Sequence, residues 1–363
     1  MQIILIGAGH THVHTLYNAP RLAHAGANIT VVSPEAEHPY SGMGPGLLGG
    51  TYTWQDIALP VRTLAQRRGA SFVQERVVRV DPDAQVVHLS DARVLPYDIL
   101  SINTGSVVHN ATTERARRTY TAKPITELAR LHADMCATVA AGGPGAARAP
   151  RVAVVGGGPA GVECAGNAAQ LLRRLSIPQP DVHLYTRSTQ LARMTPRRSA
   201  RIEAFLHEHH VAVHQQTVEN VSDIDADFVV VATGTRPPEH TGAFGLSRGP
   251  GGGIAITSTL QSPDYANVFA VGDCADFLPQ ALDRVGVYAV RMQRVLFHNM
   301  HSLLKGTPGR LREFRDTGPY LAGVNLGFGR GLLYRGAWEL RGRPAFIVKD
   351  FIDRRFMERY SHV

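Results

Sequence analysis

The sequence predicts an α/β protein made of two Rossmann-like units followed by a C-terminal cap. Three observations predict it. An aliphatic strand running into a glycine-rich turn occurs twice, at residues 3–6 with Gly7-Ala8-Gly9 and at residues 152–155 with Gly156-Gly157-Gly158-Pro159-Ala160-Gly161. Each copy is followed at βαβ spacing by a second aliphatic strand, residues 29–32 and 182–185. From Leu311 onward the aromatic and basic residues follow no such pattern and read as a cap. A duplication of this kind is more specific than either copy alone.

A Rossmann turn needs glycine where the backbone bends and where it approaches a pyrophosphate, with free N–H groups at the following helix start. Gly156, Gly158 and Gly161 fill all three positions, with Pro159 and Ala160 between them. In the first turn Gly7 and Gly9 are in place, His10 and Thr11 follow, and His12 holds the third glycine position. His10, His12 and His14 invite a metal reading, but no cysteine or carboxylate stands near to complete a site, so no metal is expected. These histidines are expected to pack or bond around a pyrophosphate. The cluster at residues 207–210 reads as a solvated helix end. A carboxylate usually ends the second strand and holds an adenosine ribose. The first unit has Ser33 there and Glu35 two residues on, which is either a ribose contact or surface charge. The second ends Tyr185-Thr186-Arg187-Ser188, with no acid and with Arg187 suited to a 2′-phosphate, which tilts that site toward NADPH over NADH.

At 363 residues, 44% hydrophobic and 19% charged, the chain has an ordinary globular balance and room for about two or three domains. Its longest apolar runs, such as residues 228–233, are strand-length, and a strand begins at residue 2. The expectation is a cytoplasmic protein without targeting segment or membrane span, at most peripheral on the inner face of a membrane. The net charge of +8 suits two anionic dinucleotides, and no nucleic-acid motif accompanies it, so no nucleic-acid partner is expected. Cys136, Cys164 and Cys274 form neither CxxC nor CxxxxC, which excludes an internal redox disulfide in that spacing. Residues 76–87 read as a hairpin, 140–150 as a flexible boundary and 249–253 as a loop.

Three more segments add a family resemblance. Two apolar strands end in Thr104-Gly105 and Thr233-Gly234, and a third, from Asn267, ends in Gly272-Asp273. With the two turns they resemble the pyridine nucleotide-disulfide oxidoreductase superfamily, flavoproteins of glutathione-reductase-like two-domain architecture. More narrowly the chain resembles the type II NADH dehydrogenase branch, and the stand-alone homologues of the dehydrogenase-like domain fused to selenophosphate synthetases. The matching stretches are residues 6–13, 39–46, 286–291 and 349–357.

The resemblance implies an FAD-binding domain split over residues 1–120 and 238–306, an NAD(P)H-binding domain at 121–237 and a cap at 307–363. It implies that Asp273 accepts a hydrogen bond from the flavin ribityl chain, that Pro45 lies by the flavin ring and that the Val77 backbone meets the adenine. The helix starting at Gly286 and Val287 would point its N-terminus at the flavin. Arg62 and Lys123 are cofactor-side cations or surface charges. Glu163 faces the nicotinamide pocket or is a helix-start carboxylate. The activity implied is hydride transfer from NAD(P)H to FAD and then to a second acceptor, a quinone among the choices, with no obligatory side-chain acid or base. The branch carries an alanine-glutamine pair where this chain has Gly286 and Val287, which puts the quinone in doubt. Two alternatives stay open: sulfide or persulfide oxidation, which needs cysteines beside the flavin, and FAD binding with nicotinamide turnover lost. Residues 346–360 either lie on a membrane or pack on the core or on a second subunit as a homodimer.

Overall fold

The computed structural model describes residues 1–108, 118–142, 149–316 and 318–361. Strand Gln2–Ile6 has four consecutive buried aliphatic residues, the pattern of a strand covered on both faces. It lies mid-sheet, parallel to Asn28–Val32 on one side and Ile99–Ile102 on the other, and Ser71–Val73 and Val268–Ala270 complete a five-stranded sheet. The second five-stranded sheet repeats the plan. Arg151–Val155 is central, flanked by Asp181–Thr186 and Phe228–Val231, with Val211–Gln215 and Thr119–Thr121 at the edges, all parallel. Each central strand feeds a glycine turn and then a helix, His10–Tyr17 in the first unit and Pro159–Arg174 in the second. The architecture is the α/β, two-unit arrangement that the duplicated motif predicts. The first sheet takes its edge strand Val268–Ala270 from beyond the second sheet.

The hairpin expected at residues 76–87 forms from Val77–Asp81 and Val86–Leu89, and a third antiparallel strand, Val94–Pro96, extends it. The boundary expected at 140–150 begins inside helix Ile125–Gly142, and residues 143–148 lie outside the described residues.

The cap is an antiparallel meander of Ala322–Gly327, Arg330–Arg335 and Trp338–Gly342, followed by helix Arg343–Ser361. It docks backbone to backbone on helix Pro159–Arg174: a Cβ added at Gly166 would overlap the Leu326 carbonyl oxygen, and one at Gly327 would come 2.6 Å from the Gly166 oxygen. Gln170 ties the joint together. Its Oε1 accepts from the Phe328 N–H, and its Nε2 donates to Gly49 O at 2.6 Å and to Thr51 Oγ1 at 2.9 Å. Gly166→Ala is therefore expected to destabilise the fold by about 1–3 kcal/mol. Gly309→Ala, at a position with nothing within 4 Å, serves as the control. Urea midpoints read the difference, and equal midpoints for the two variants would contradict the close docking.

Helix Arg343–Ser361 answers the either-or posed by its sequence with two faces. Ala345, Asp353, Met357 and Tyr360 are buried against the protein, whereas Ile347 (55% exposed), Val348, Phe351 (61% exposed) and Ile352 face outward. No helix among the described residues is long and apolar enough to cross a membrane.

Candidate functional site

All five strands of the first sheet run parallel, so the segments after Ile6, Val32, Ile102 and Ala270 emerge at one edge, where α/β proteins bind ligands. That edge gathers Gly7, Gly9, Ser33, Thr104, Gly105, Gly272 and Asp273. Its organiser is a residue the sequence reading did not single out, Asn103. The Asn103 N–H donates to Ile6 O, its Nδ2 donates to Val271 O at 2.7 Å, and it stands where a Cβ on Gly7, Gly9 or Gly272 would have to go. Gly7 also has φ +81°, so glycine is required there on two counts.

Asp273 is 9% exposed and accepts hydrogen bonds from Lys123 Nζ and from Ser106 Oγ, both at 2.8 Å. Burial acts to raise its carboxyl, but the Lys123 charge and the two hydrogen bonds outweigh that and hold it below the usual carboxylate range. Lys123 is thus no free surface charge. It follows the edge strand Thr119–Thr121 of the second sheet, so the ion pair joins the two units at the site. Helix Gly286–Leu304 starts at the same place: a Cβ on Gly286 would lie 3.9 Å from His10 Nε2 and 3.8 Å from Ser41 Oγ, and Val287 follows in the first turn. Pro45 is buried in the adjoining short helix Gly44–Leu48. At the far end of the edge, Arg62 is exposed, bonded to Gln74 and stacked 5.4 Å from the Phe72 ring centroid, and Ser33 donates its N–H to Val73 O. Val77 is a core residue of its hairpin strand.

The three histidines of the first turn part company. His12 points into the core, with Nδ1 2.7 Å from Gly7 O and Nε2 2.8 Å from Ser101 Oγ, so the structure assigns it to packing in place of the third glycine and not to ligand contact. Thr11 likewise turns inward, donating to Ala289 O at 2.7 Å. His14 meets Tyr360 Oη at 3.2 Å. Only His10 faces the site: it is 8% exposed and its Nε2 has no hydrogen-bond partner. Burial, followed by opposing pulls from Asp273 and Lys123, lowers its pKa to about 4, so the ring is neutral at physiological pH. No group of three or more metal-ligating side chains suited to an ion occurs among the described residues. In the cluster at 207–210, His209 is more than solvated charge: it stacks on Phe328 with ring centroids 3.9 Å apart.

The second sheet presents its own carboxyl edge. Gly156 has φ +122° and its Cβ would overlap Ala232 O, and a Cβ on Gly161 would overlap Gly156 O. Nothing lies within 4 Å of a Cβ on Gly158, which leaves its backbone open to a ligand at the N-terminus of helix Pro159–Arg174. Pro159 and Ala160 open that helix, and Thr233 and Gly234 close the edge after strand Phe228–Val231. Arg187 is exposed at the end of its strand, while the neighbouring Thr186 is buried and its Oγ1 accepts from the Ser188 N–H at 3.1 Å.

Between the two edges the cap brings together Tyr40, Lys349 and Asp353, whose stretches, 39–46 and 349–357, match the family but give these three residues no assigned role. Lys349 Nζ donates to Asp353 Oδ2 at 2.6 Å and to Gly42 O at 2.7 Å, and Tyr40 Oη donates to Asp353 Oδ1 at 3.2 Å. Tyr40 stacks on Phe356 at 4.8 Å and lies 5.1 Å from the His10 ring. Glu163 looks toward this cluster: its Oε1 accepts from Asn325 N–H at 2.7 Å, so it joins the second turn to the cap. Burial pushes the Glu163 carboxyl up to about 7, against the opposing pull of Lys349 and the Asn325 N–H. A carboxyl raised on folding holds its proton more tightly in the native state. The Glu163 contribution to stability is therefore fullest below pH 4.5 and declines as pH rises to about 7, by on the order of 3 kcal/mol at most. Glu163→Gln should flatten that part of the stability–pH profile in denaturant titrations; an unchanged slope would remove Glu163 from it.

Comparison with known proteins agrees with this geometry. The family model for pyridine nucleotide-disulphide oxidoreductases matches residues 1–295. The type II NADH:quinone oxidoreductase of Staphylococcus saprophyticus is 22% identical over 392 residues, covering 98% of this chain and 94% of that protein. Among solved structures, the sulfide:quinone oxidoreductase of Aquifex aeolicus superposes with TM-score 0.80 at 17% identity, over 99% of this chain and 91% of that one. The NDH2 of Plasmodium falciparum, solved with NADH, also gives TM-score 0.80, at 14% identity, over 98% and 97% of the two chains. The chain is an oxidoreductase belonging to the pyridine nucleotide-disulphide oxidoreductase family.

Proposed function

We propose that the protein binds FAD at the first edge and oxidises NADH at the second, delivering the electrons to a quinone. The observation that carries this reading is the pair of glycine turns, one at each sheet edge, with the Lys123–Asp273 ion pair linking the two units. FAD fits the residues present. Asp273 is an ionised acceptor, and two buried polar atoms at the turn, His10 Nε2 and Asn103 Oδ1, have no hydrogen-bond partner. Once bound, the flavin supplies hydride acceptance from the nicotinamide and onward electron transfer.

The chain's own residues bind, orient and shield. The N-terminus of helix Gly286–Leu304 offers its positive end to negative charge at the first edge. Neutral His10 adds a hydrogen-bonding group without a second cation, and Tyr40, Phe356 and the cap helix cover the site. NADH is the first choice of nucleotide, after the relatives' names. Arg187 supports NADPH as a second reading, checked by comparing KM for the two nucleotides in Arg187→Ala. Sulfide oxidation stays as an alternative through the likeness to the sulfide:quinone oxidoreductase, but Cys164 and Cys274 do not favour it: burial raises both thiols and both residues are sealed in the core.

The outward stripe of Ile347, Val348, Phe351 and Ile352, flanked by exposed Arg343 and Arg355, suits a membrane surface, where a quinone resides. A panel of quinones with NADH tests the acceptor: reduction of a quinone faster than of dioxygen supports it, and the reverse order removes it. Phe351→Ser with Ile352→Ser should release the protein from phosphatidylglycerol vesicles while leaving turnover of a water-soluble quinone intact. Vesicle binding unchanged by these substitutions would argue instead for a protein partner on the stripe.

A further inference from the structure

Away from both glycine turns, the far ends of helices His10–Tyr17, Gly286–Leu304 and Arg343–Ser361 enclose a basin of about 370 Å³. That volume is within the range of small-molecule sites, roughly 300–1,000 Å³. Arg21, Arg294, Arg312 and Arg359 line it, and none of their guanidinium groups forms an ion pair among the described residues. Arginines elsewhere on the fold do pair, for example Arg291 with Asp316 at 2.6 Å and Arg284 with Asp276 at 2.6 Å. Asn18, His14, His298 and His301 complete the polar lining, and no carboxylate among the described residues contributes to it. Four like charges brought around one cavity repel one another, and the fold offers little to offset them. Three helix C-termini, at Tyr17, Leu304 and Ser361, end nearby and carry about half a negative charge each, which balances between one and two of the four arginines.

We infer that this basin is an anion site for a multiply charged phosphate, either a free polyphosphate or the phosphate of a lipid headgroup. Arginine forks match phosphate oxygens two at a time, and several of them converging favour a multiply charged group over a single carboxylate. The basin offers no free stacking face for a nucleobase. Its one aromatic lining ring besides the histidines, Phe297, has the Arg21 guanidinium 5.1 Å from its centroid, with His301 at 6.4 Å and His14 at 6.3 Å around it. His298 spends Nε2 on Arg310 O at 2.9 Å, so the charge on offer is chiefly that of the arginines. Burial and then the fields of Arg359, Arg294 and Arg21 lower the His14 pKa to about 4, a sign that the positive potential is not cancelled locally.

The inference does not depend on which electron acceptor the protein uses. Calorimetric titration of the purified chain, flavin included, with inorganic tripolyphosphate tests it. Saturable binding is expected, weakened about tenfold by Arg294→Gln and again by Arg359→Gln, and unchanged by Arg93→Gln on the distant hairpin. The arginines are exposed, and melting temperatures verify that the variants fold. A parallel arm measures sedimentation with vesicles of phosphatidylcholine, with and without phosphatidylglycerol. Arginine-dependent binding to the anionic vesicles alone assigns the phosphate to a lipid headgroup; arginine-dependent tripolyphosphate binding assigns it to a soluble ligand. Tripolyphosphate binding that survives both substitutions would lie at the dinucleotide turns and overturn the proposal, as would arginine-independent binding in both arms or none in either.

Discussion

Asp273→Ala is expected to yield folded protein that purifies with little or no flavin. Among the described residues Asp273 is the one buried acid at the carboxyl edge of the first sheet, kept ionised by Lys123 and Ser106. A hydrogen bond to a charged acceptor contributes about 1.5–3 kcal/mol, so its loss weakens flavin binding by about ten- to a hundredfold. The substitution also leaves Lys123 without its partner. Orphaning a deeply buried charge costs roughly 3–5 kcal/mol, but the Lys123 side chain keeps 25% of its exposure, and solvent screens part of that cost. The double variant with Lys123→Met should therefore regain stability and not flavin. Asp273→Asn, which keeps an acceptor oxygen, should fall between. The ratio of flavin to protein absorbance reads all three, and a wild-type ratio in Asp273→Ala would remove the carboxylate from the cofactor site.

A second large effect separates the two roles of glycine in the other turn. Gly158→Ala places its methyl in open space, with no protein atom within 4 Å, so melting should be unchanged. The same methyl stands where a pyrophosphate must approach the helix start, so KM for NADH should rise by about tenfold or more. Gly161→Ala instead drives its methyl into the Gly156 carbonyl, distorting the turn itself, and should lower both stability and NADH oxidation with flavin retained. Equal KM values for wild type and Gly158→Ala would show that the nucleotide binds elsewhere.

The parts of the fold that were legible in the sequence are those written in short stretches. An aliphatic run and a glycine turn specify a buried parallel strand and its helix, because burial pattern and backbone geometry are local demands. Asp273 was legible only through the family resemblance, which attaches a role to the Gly272-Asp273 pair just past the strand Val268–Ala270. What was not legible depends on long-range contact. Asn103 sits inside a recognised segment, yet its part in shaping three glycine positions follows only from strands meeting in space. His12 has the composition of a ligand residue and the surroundings of a core residue, fixed by Ser101 across 89 positions. The cap cluster joins Lys349 to Gly42 and Asp353 to Tyr40, separations of 307 and 313 residues. Glu163 lies near the start of its helix, and its hydrogen bond to the cap backbone at Asn325 spans 162 residues. The four basin arginines carry no signal in the sequence, which does not show which arginines will lack a carboxylate.

The central claim is that the two turns cooperate, one holding FAD and the other presenting NADH to it. Anaerobic stopped-flow mixing of the purified protein with NADH tests it most directly. The account predicts that the visible flavin absorbance bleaches in a saturable phase, and that Gly158→Ala shifts the half-saturating NADH concentration upward. A flavin-loaded protein whose spectrum stays unchanged with both NADH and NADPH would contradict it.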